Sequence, residues 1–129
     1  MLAVARKIVC IDKGCRKHNW NKVTSVGMYG KTLGLVGMGN IGKGIVKRAK
    51  GFSMNILAYD LFKDEEFASN NNIEYVSLEK LLKESDFISI HIPLTDKTRY
   101  IIGEKELGMM KKNAVLVNTA RGGLIDENA

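Results

Sequence analysis

A chain of 129 residues, 45% hydrophobic and 26% charged, is long enough for one domain with its own core. Its apolar runs fall far short of the ~20 residues a bilayer crossing needs. The opening Met1-Leu2-Ala3-Val4-Ala5 meets Arg6-Lys7 before it reaches the length of a signal-peptide core, so a cytoplasmic protein is expected. The net charge of +6 divides unevenly: 11 Lys/Arg stand against one acid, Asp12, over residues 1–51 (+10), and 9 against 13 over residues 52–129 (−4). No nucleic-acid motif accompanies the basic half, which reads as a solvated surface that also attracts anionic ligands. Cys10 and Cys15 have no His or Cys neighbours at metal-ligand spacing; they read as reduced thiols, and no metal site is expected.

Along the chain, Leu2, Ala5 and Ile8 suit a short helix, and residues 12–21 read as a polar connection. Thr32-Leu33-Gly34-Leu35-Val36 is an apolar run closed by Gly37, the signature of a buried strand. A helix is predicted over residues 40–52, with Ile41, Ile45, Ala49 and Phe52 on one face, Lys43, Lys47 and Lys50 on another, and Gly51 near its end. A strand at 54–59, a charged helix at 64–69 and a short strand at 73–76 follow. Ser77 is placed to cap a helix that runs to Glu84. A strand at 87–92, a helix at 104–112 and a strand at 114–118 complete the chain, and its only proline, Pro93, lies just beyond a strand. Five strands alternating with helices predict a parallel sheet covered on both faces.

Gly37-Met38-Gly39-Asn40-Ile41-Gly42 fits G-x-G-x-x-G between an apolar strand and an amphipathic helix, where a dinucleotide fingerprint has to lie. Gly37 permits the tight turn, Gly39 removes the side chain where a pyrophosphate approaches, and Gly42 lets helix and strand pack closely. The helix then offers free N–H groups and a partial positive charge to the phosphates. Asp60 closes the second strand 18 residues after Gly42, where a carboxylate can accept bonds from ribose hydroxyls and repel a 2′-phosphate. The structural alternative for Asp60 is a helix N-cap; Lys63 lies near, but no arginine follows directly to reverse the preference.

Four further stretches carry a family resemblance: Gly30-Lys31-Thr32-Leu33-Gly34; His91-Ile92-Pro93-Leu94-Thr95 with Thr98; Glu106-Leu107-Gly108-Met109-Met110-Lys111; and the run from Val117-Asn118-Thr119-Ala120-Arg121-Gly122-Gly123 to Glu127. In their order and spacing, and with Trp20 ahead of the first strand, they resemble the D-isomer-specific 2-hydroxyacid dehydrogenases, most closely the phosphoglycerate dehydrogenase and glycerate/hydroxypyruvate reductase types. The resemblance implies a doubly wound, Rossmann-type α/β domain that binds NAD, in an enzyme that interconverts a D-2-hydroxy acid and its 2-oxo acid and works as a homodimer.

On the resemblance, Asn40 and Ile41 would meet the pyrophosphate through their backbone and Asp60 the ribose. His91, Ile92 and Pro93, with Thr98, would line the adenosine and ribose side, and Thr119, Ala120 and Arg121 the nicotinamide side. Arg121 would be the catalytic arginine: a guanidinium fork can hold carboxylate and carbonyl oxygen together and stabilise the charge that grows on the latter. Its structural alternative is a surface cation at a strand end. His91 would serve the cofactor rather than proton transfer, and His18 lies in the polar N-terminal stretch.

The resemblance also places the acid–base histidine and glutamate, and the substrate domain, outside the chain. Residues 1–22 would be a link from that domain, and residues 23–129 a cofactor domain incomplete at its C-terminal edge and inactive alone. A rival of another class is a non-enzymatic NAD-binding interaction protein of the C-terminal-binding-protein corepressor type, which shares the fold and the arginine motif.

Overall fold

A computed structural model describes residues 1–20 and 22–129. Five strands form one parallel sheet: β1 (Thr32–Val36), β2 (Asn55–Tyr59), β3 (Ile73–Tyr75), β4 (Phe87–Ile90) and β5 (Val115–Asn118), in the spatial order β3-β2-β1-β4-β5. The central strands β1 and β4 are buried along nearly all of their length because both faces of the sheet are covered there, while edge strand β3 exposes Glu74. Leu33 and Leu35 face one layer, where they pack with Val46, Ala49, Ile56, Ala58 and Phe87. Val36 and Leu57 face the other, with Leu81, Leu82, Ile88, Ile90, Ile102 and Leu124. The helices are α1 (Leu2–Ala5), α2 (Ile8–Cys15), α3 (Asn40–Ala49), α4 (Glu65–Asn71), α5 (Leu78–Glu84) and α6 (Glu104–Met109).

Local chemistry sets most of the boundaries. Ser77 caps α5 as its position predicts, its Oγ accepting from the Lys80 N–H at 3.2 Å. Asp64 caps α4 by accepting from the Phe67 N–H at 2.9 Å. It also pairs with Lys43, and its own N–H donates to the Tyr75 hydroxyl at 3.1 Å, which ties the β2–α4 loop to α3 and β3. In the middle of β1, a Cβ on Gly34 would lie 2.5 Å from Leu81 and collide with the Ser85 hydroxyl, so glycine is what lets α5 lie against the sheet.

Several sequence expectations change. The first helix breaks at Lys7, held in the left-handed region at φ 50°, and a second helix runs through Asp12 to Cys15 where a connection was expected. The Asp12–Arg16 pair, spaced i,i+4 at 2.9 Å, supports that extra turn. Asn21, the last residue of the expected connection, lies outside the described residues. In α3 the predicted face holds at Ala49, with Ile45 and Phe52 packed against the same core, but Gly42 and Val46 complete it and Ile41 is 68% exposed. The α-helix also ends at Ala49, and Lys50–Phe52 continue as a 3-10 turn closed by Ser53 at φ 49°. β4 ends at Ile90 rather than 92, because Pro93 has no N–H to extend the ladder. α6 ends at Met109, three residues early, and a turn closed by Ala114 N–H on the Lys111 carbonyl leads into β5.

Candidate functional site

The chain leaves β1 toward β2 on one side and returns later to β4 on the other. A crevice therefore opens between the carboxyl ends of β1 and β4, the usual ligand site of a doubly wound sheet. The glycine turn lies at its floor. The Gly37 N–H bonds the Tyr59 carbonyl at 2.9 Å, and the His91 N–H bonds the Val36 carbonyl at 2.7 Å, which draws three strand ends together. Gly37 sits at φ +103°, and a Cβ there would lie 2.7 Å from the His91 carbonyl carbon and oxygen. A Cβ on Gly42 would run into the Gly37 carbonyl, which is why α3 packs through Gly42 and turns Ile41 outward.

Gly39 differs from both. Its φ of −65° suits any residue, and a Cβ on it would meet nothing within 4 Å. Nothing in the protein demands glycine there. As the N-cap of α3 it brings no side chain to the amides of Asn40, Ile41 and Gly42, and the first turn holds no acid. The ten-residue helix thus presents uncapped N–H groups and its positive end beside an open cradle, a place for an anion.

Asp60 is no helix cap, since Asp64 fills that position for α4. Its Oδ2 accepts from the Met38 N–H at 2.7 Å and its Oδ1 from the Phe62 N–H at 2.9 Å. The carboxylate ties the glycine turn to the end of β2, and each oxygen keeps a further lone pair for a ligand hydroxyl.

Two lobes open from this floor. One, about 560 Å³, is bounded by Gly39, Asp60, Leu61, Phe62, Thr98 and Ile101, among others. The second, about 530 Å³, is bounded by Ile41, Leu94, Thr119, Ala120 and Arg121. His91, Ile92 and Pro93 border both lobes and join them into one groove. Most of the site residues singled out in the sequence border these lobes, while Gly37, Asn40 and Gly42 do not and form the turn and helix start beside them. The Thr98 hydroxyl donates to the Pro93 carbonyl and accepts from the Thr95 N–H, both at 2.7 Å, and so shapes the loop over the first lobe.

Burial lowers the pKa of His91 below 6.5, leaving the ring neutral at pH 7. Its Nε2 lies 2.8 Å from the Ser89 hydroxyl. Ser89, near the end of β4 before His91, was missed in the sequence. Leu61, Phe62 and Asn118 were also missed, and the side chain of Asn118 folds the turn that carries Arg121.

A groove of two lobes, an anion cradle between them and an acid at the first lobe fit an extended dinucleotide with its pyrophosphate at Gly39. Known proteins agree. The model of the D-isomer specific 2-hydroxyacid dehydrogenase NAD-binding domain matches residues 1–129. A glyoxylate reductase of Korarchaeum cryptofilum is 47% identical over all of this chain and 41% of its own length. A D-3-phosphoglycerate dehydrogenase of Methanocaldococcus jannaschii is 48% identical over all of this chain and 25% of its own length. Among solved structures, the apo D-lactate dehydrogenase of Escherichia coli superposes with a TM-score of 0.93 at 38% identity, over all of this chain and 41% of that one. The chain thus spans well under half of each of these proteins. Sequence, strand order and crevice lead to one assignment: the chain belongs to the D-isomer-specific 2-hydroxyacid dehydrogenases, as their NAD-binding domain.

Proposed function

We propose that this domain serves an enzyme that interconverts a D-2-hydroxy acid and its 2-oxo acid, with Arg121 as the substrate-binding catalytic arginine. The relatives named above are described by different acids, glyoxylate, phosphoglycerate and lactate, whose shared chemistry is an oxygen function beside a carboxylate. The observation that carries the reading is the position of Arg121. It borders the second lobe beside Thr119 and Ala120, in a groove continuous with the anion cradle. One guanidinium N–H meets the Ala120 carbonyl at 2.7 Å, leaving about four of its five donors for a ligand. A planar fork of this kind holds a carboxylate and an adjacent carbonyl oxygen at once.

NAD, when bound, accepts or supplies the hydride. The chain's own residues do the rest of what this domain contributes. The α3 amides and Gly39 hold the pyrophosphate, Asp60 takes the ribose hydroxyls and disfavours a 2′-phosphate, and neutral His91 with Ile92 and Pro93 sets the floor shared by both lobes. Arg121 orients the 2-oxo acid and stabilises negative charge on its carbonyl oxygen. We assign the proton donor and the closing substrate domain to a longer protein, with residues 1–22 as the link. A cytoplasmic homodimer completes the proposal on the sequence resemblance alone. The corepressor reading finds no support among the relatives named above, which are enzymes.

The test is Arg121→Lys in the intact enzyme. Lysine keeps the charge but loses the fork, so kcat/KM for the 2-oxo acid should fall by about 10²-fold or more with NADH affinity nearly unchanged. A near-normal kcat/KM would return Arg121 to the surface.

A further inference from the structure

Between the end of β5 and the buried Leu124 the chain runs through Thr119, Ala120, Arg121, Gly122 and Gly123, and this span carries the guanidinium. Leu124 is fixed from below: it is fully buried, and its carbonyl accepts from the Ile102 N–H at 3.2 Å. Asn118 is fixed by its register opposite Ile90 in the sheet. Gly123 is also held, its carbonyl accepting from the Tyr100 N–H at 2.9 Å and a Cβ on it lying 3.3 Å from Leu94, whereas a Cβ on Gly122 would meet nothing within 4 Å. Arg121 and Gly122 themselves are exposed, so packing alone does not set the Arg121 backbone.

The side chain of Asn118 does it instead. Its Oδ1 accepts from the Ala120 N–H at 3.0 Å, and its Nδ2 donates to the Arg121 carbonyl at 2.7 Å. One carboxamide thereby bonds the backbone on both sides of the Ala120–Arg121 peptide. The Arg121 carbonyl also accepts from the Leu124 N–H at 3.3 Å, so the clamp continues into the turn Gly122–Leu124. Arg121 is left extended, at φ −147° and ψ 141°, with its side chain at the second lobe.

We propose that Asn118 is the positioning residue of Arg121: its carboxamide sets where the guanidinium meets the carboxylate of the 2-oxo acid. The role requires an amide. An aspartate of the same shape keeps the acceptor for Ala120 but presents a second acceptor to the Arg121 carbonyl, where a donor is needed. It also adds a negative charge to the turn that carries the guanidinium, which disfavours an anionic substrate. Alanine removes both bonds and loosens the stretch between Asn118 and Gly123. This inference rests on Arg121 being the substrate arginine.

The experiment compares wild type, Asn118→Ala, Asn118→Asp and Arg121→Lys in the intact enzyme, with glyoxylate and hydroxypyruvate as 2-oxo acids. Both Asn118 variants should lose about 10²-fold in kcat/KM for the 2-oxo acid, the size of effect expected when a catalytic group moves by about 1 Å. KM for NADH should stay within about twofold, and melting temperatures close to wild type, since the affected bonds lie in a partly exposed turn. Asn118→Asp should be at least as impaired as Asn118→Ala although it keeps the Ala120 bond. Unchanged kcat/KM in Asn118→Ala, or equal losses toward both NADH and the 2-oxo acid, overturns the positioning role. If Arg121→Lys is impaired and Asn118→Ala is not, only the clamp fails. If Arg121→Lys is unimpaired, the substrate reading of Arg121 fails and the clamp with it.

Discussion

Replacing Gly39 by alanine separates what the fold needs from what a ligand needs. The residue has φ −65°, ordinary for alanine, and its new Cβ would meet no atom within 4 Å. Lower chain entropy in the unfolded state contributes about 0.4–1 kcal/mol in favour of Gly→Ala at a compatible site. Alanine's poorer fit to an N-cap opposes this by up to about 1 kcal/mol. The two nearly cancel, so the variant should unfold within about 0.5 kcal/mol of wild type. Binding has no such compensation. A phosphate oxygen must come to about 2.9 Å from the α3 amides, and a methyl group in the cradle holds it away. Losing one charge-assisted bond, about 1.5–3 kcal/mol, weakens NAD binding at least about tenfold. Gly37→Ala is the contrast, because its Cβ would lie 2.7 Å from the His91 carbonyl at φ +103°, so that variant should lose stability. The assay pairs denaturant unfolding with calorimetric titration of NAD. Gly39→Ala with unchanged NAD affinity, or with a large loss of stability, would refute the assignment of the cradle.

Asp60→Ala should weaken NAD by about tenfold or more and narrow its preference over NADP; equal wild-type affinities for the two, by calorimetry, would contradict the ribose role. Ser85 has a buried hydroxyl with no hydrogen-bond partner among the described residues, so Ser85→Ala should raise unfolding free energy by about 1 kcal/mol, and a clear loss in urea melts would count against it. Burial holds the His91 pKa below 6.5, so the unfolded chain takes up this proton at higher pH than the folded one. The stability tied to neutral His91 is full above pH 6.5 and is lost as pH falls from there toward the folded value. His91→Gln should flatten urea-melt stability between pH 7 and 5, and an unchanged pH dependence would refute this.

The sheet was legible because a parallel strand covered on both faces is a continuous apolar run, and glycine and polar clusters punctuate such runs at each end. The glycine turn was legible for a similar reason: Gly37 and Gly42 answer to local geometry, and Gly39 leaves space for a ligand. What escaped depends on contacts across the fold. The repeat of α3 allows a face through Ile41 or one through Val46, and only the approach of Gly42 to the Gly37 carbonyl decides between them. Asp60 reads as a ribose acceptor, while its bond to the Met38 N–H spans 22 positions and has no sequence mark. Thr98 was grouped with cofactor-lining residues, yet its hydroxyl is committed to residues 93 and 95 of its own loop. Asn118 lay within a recognised motif, but its two bonds follow from the turn that Arg121 makes after β5.

Amide chemical shifts of the isotopically labelled 129-residue chain, titrated with NAD, test the central claim most directly. A dinucleotide lying in the groove should shift residues 37–41, 60–62, 91–92 and 119–121 together and saturate at one equivalent. No saturable shift, or shifts confined to the opposite end of the sheet around Lys31, Asp86 and Lys111, would contradict it.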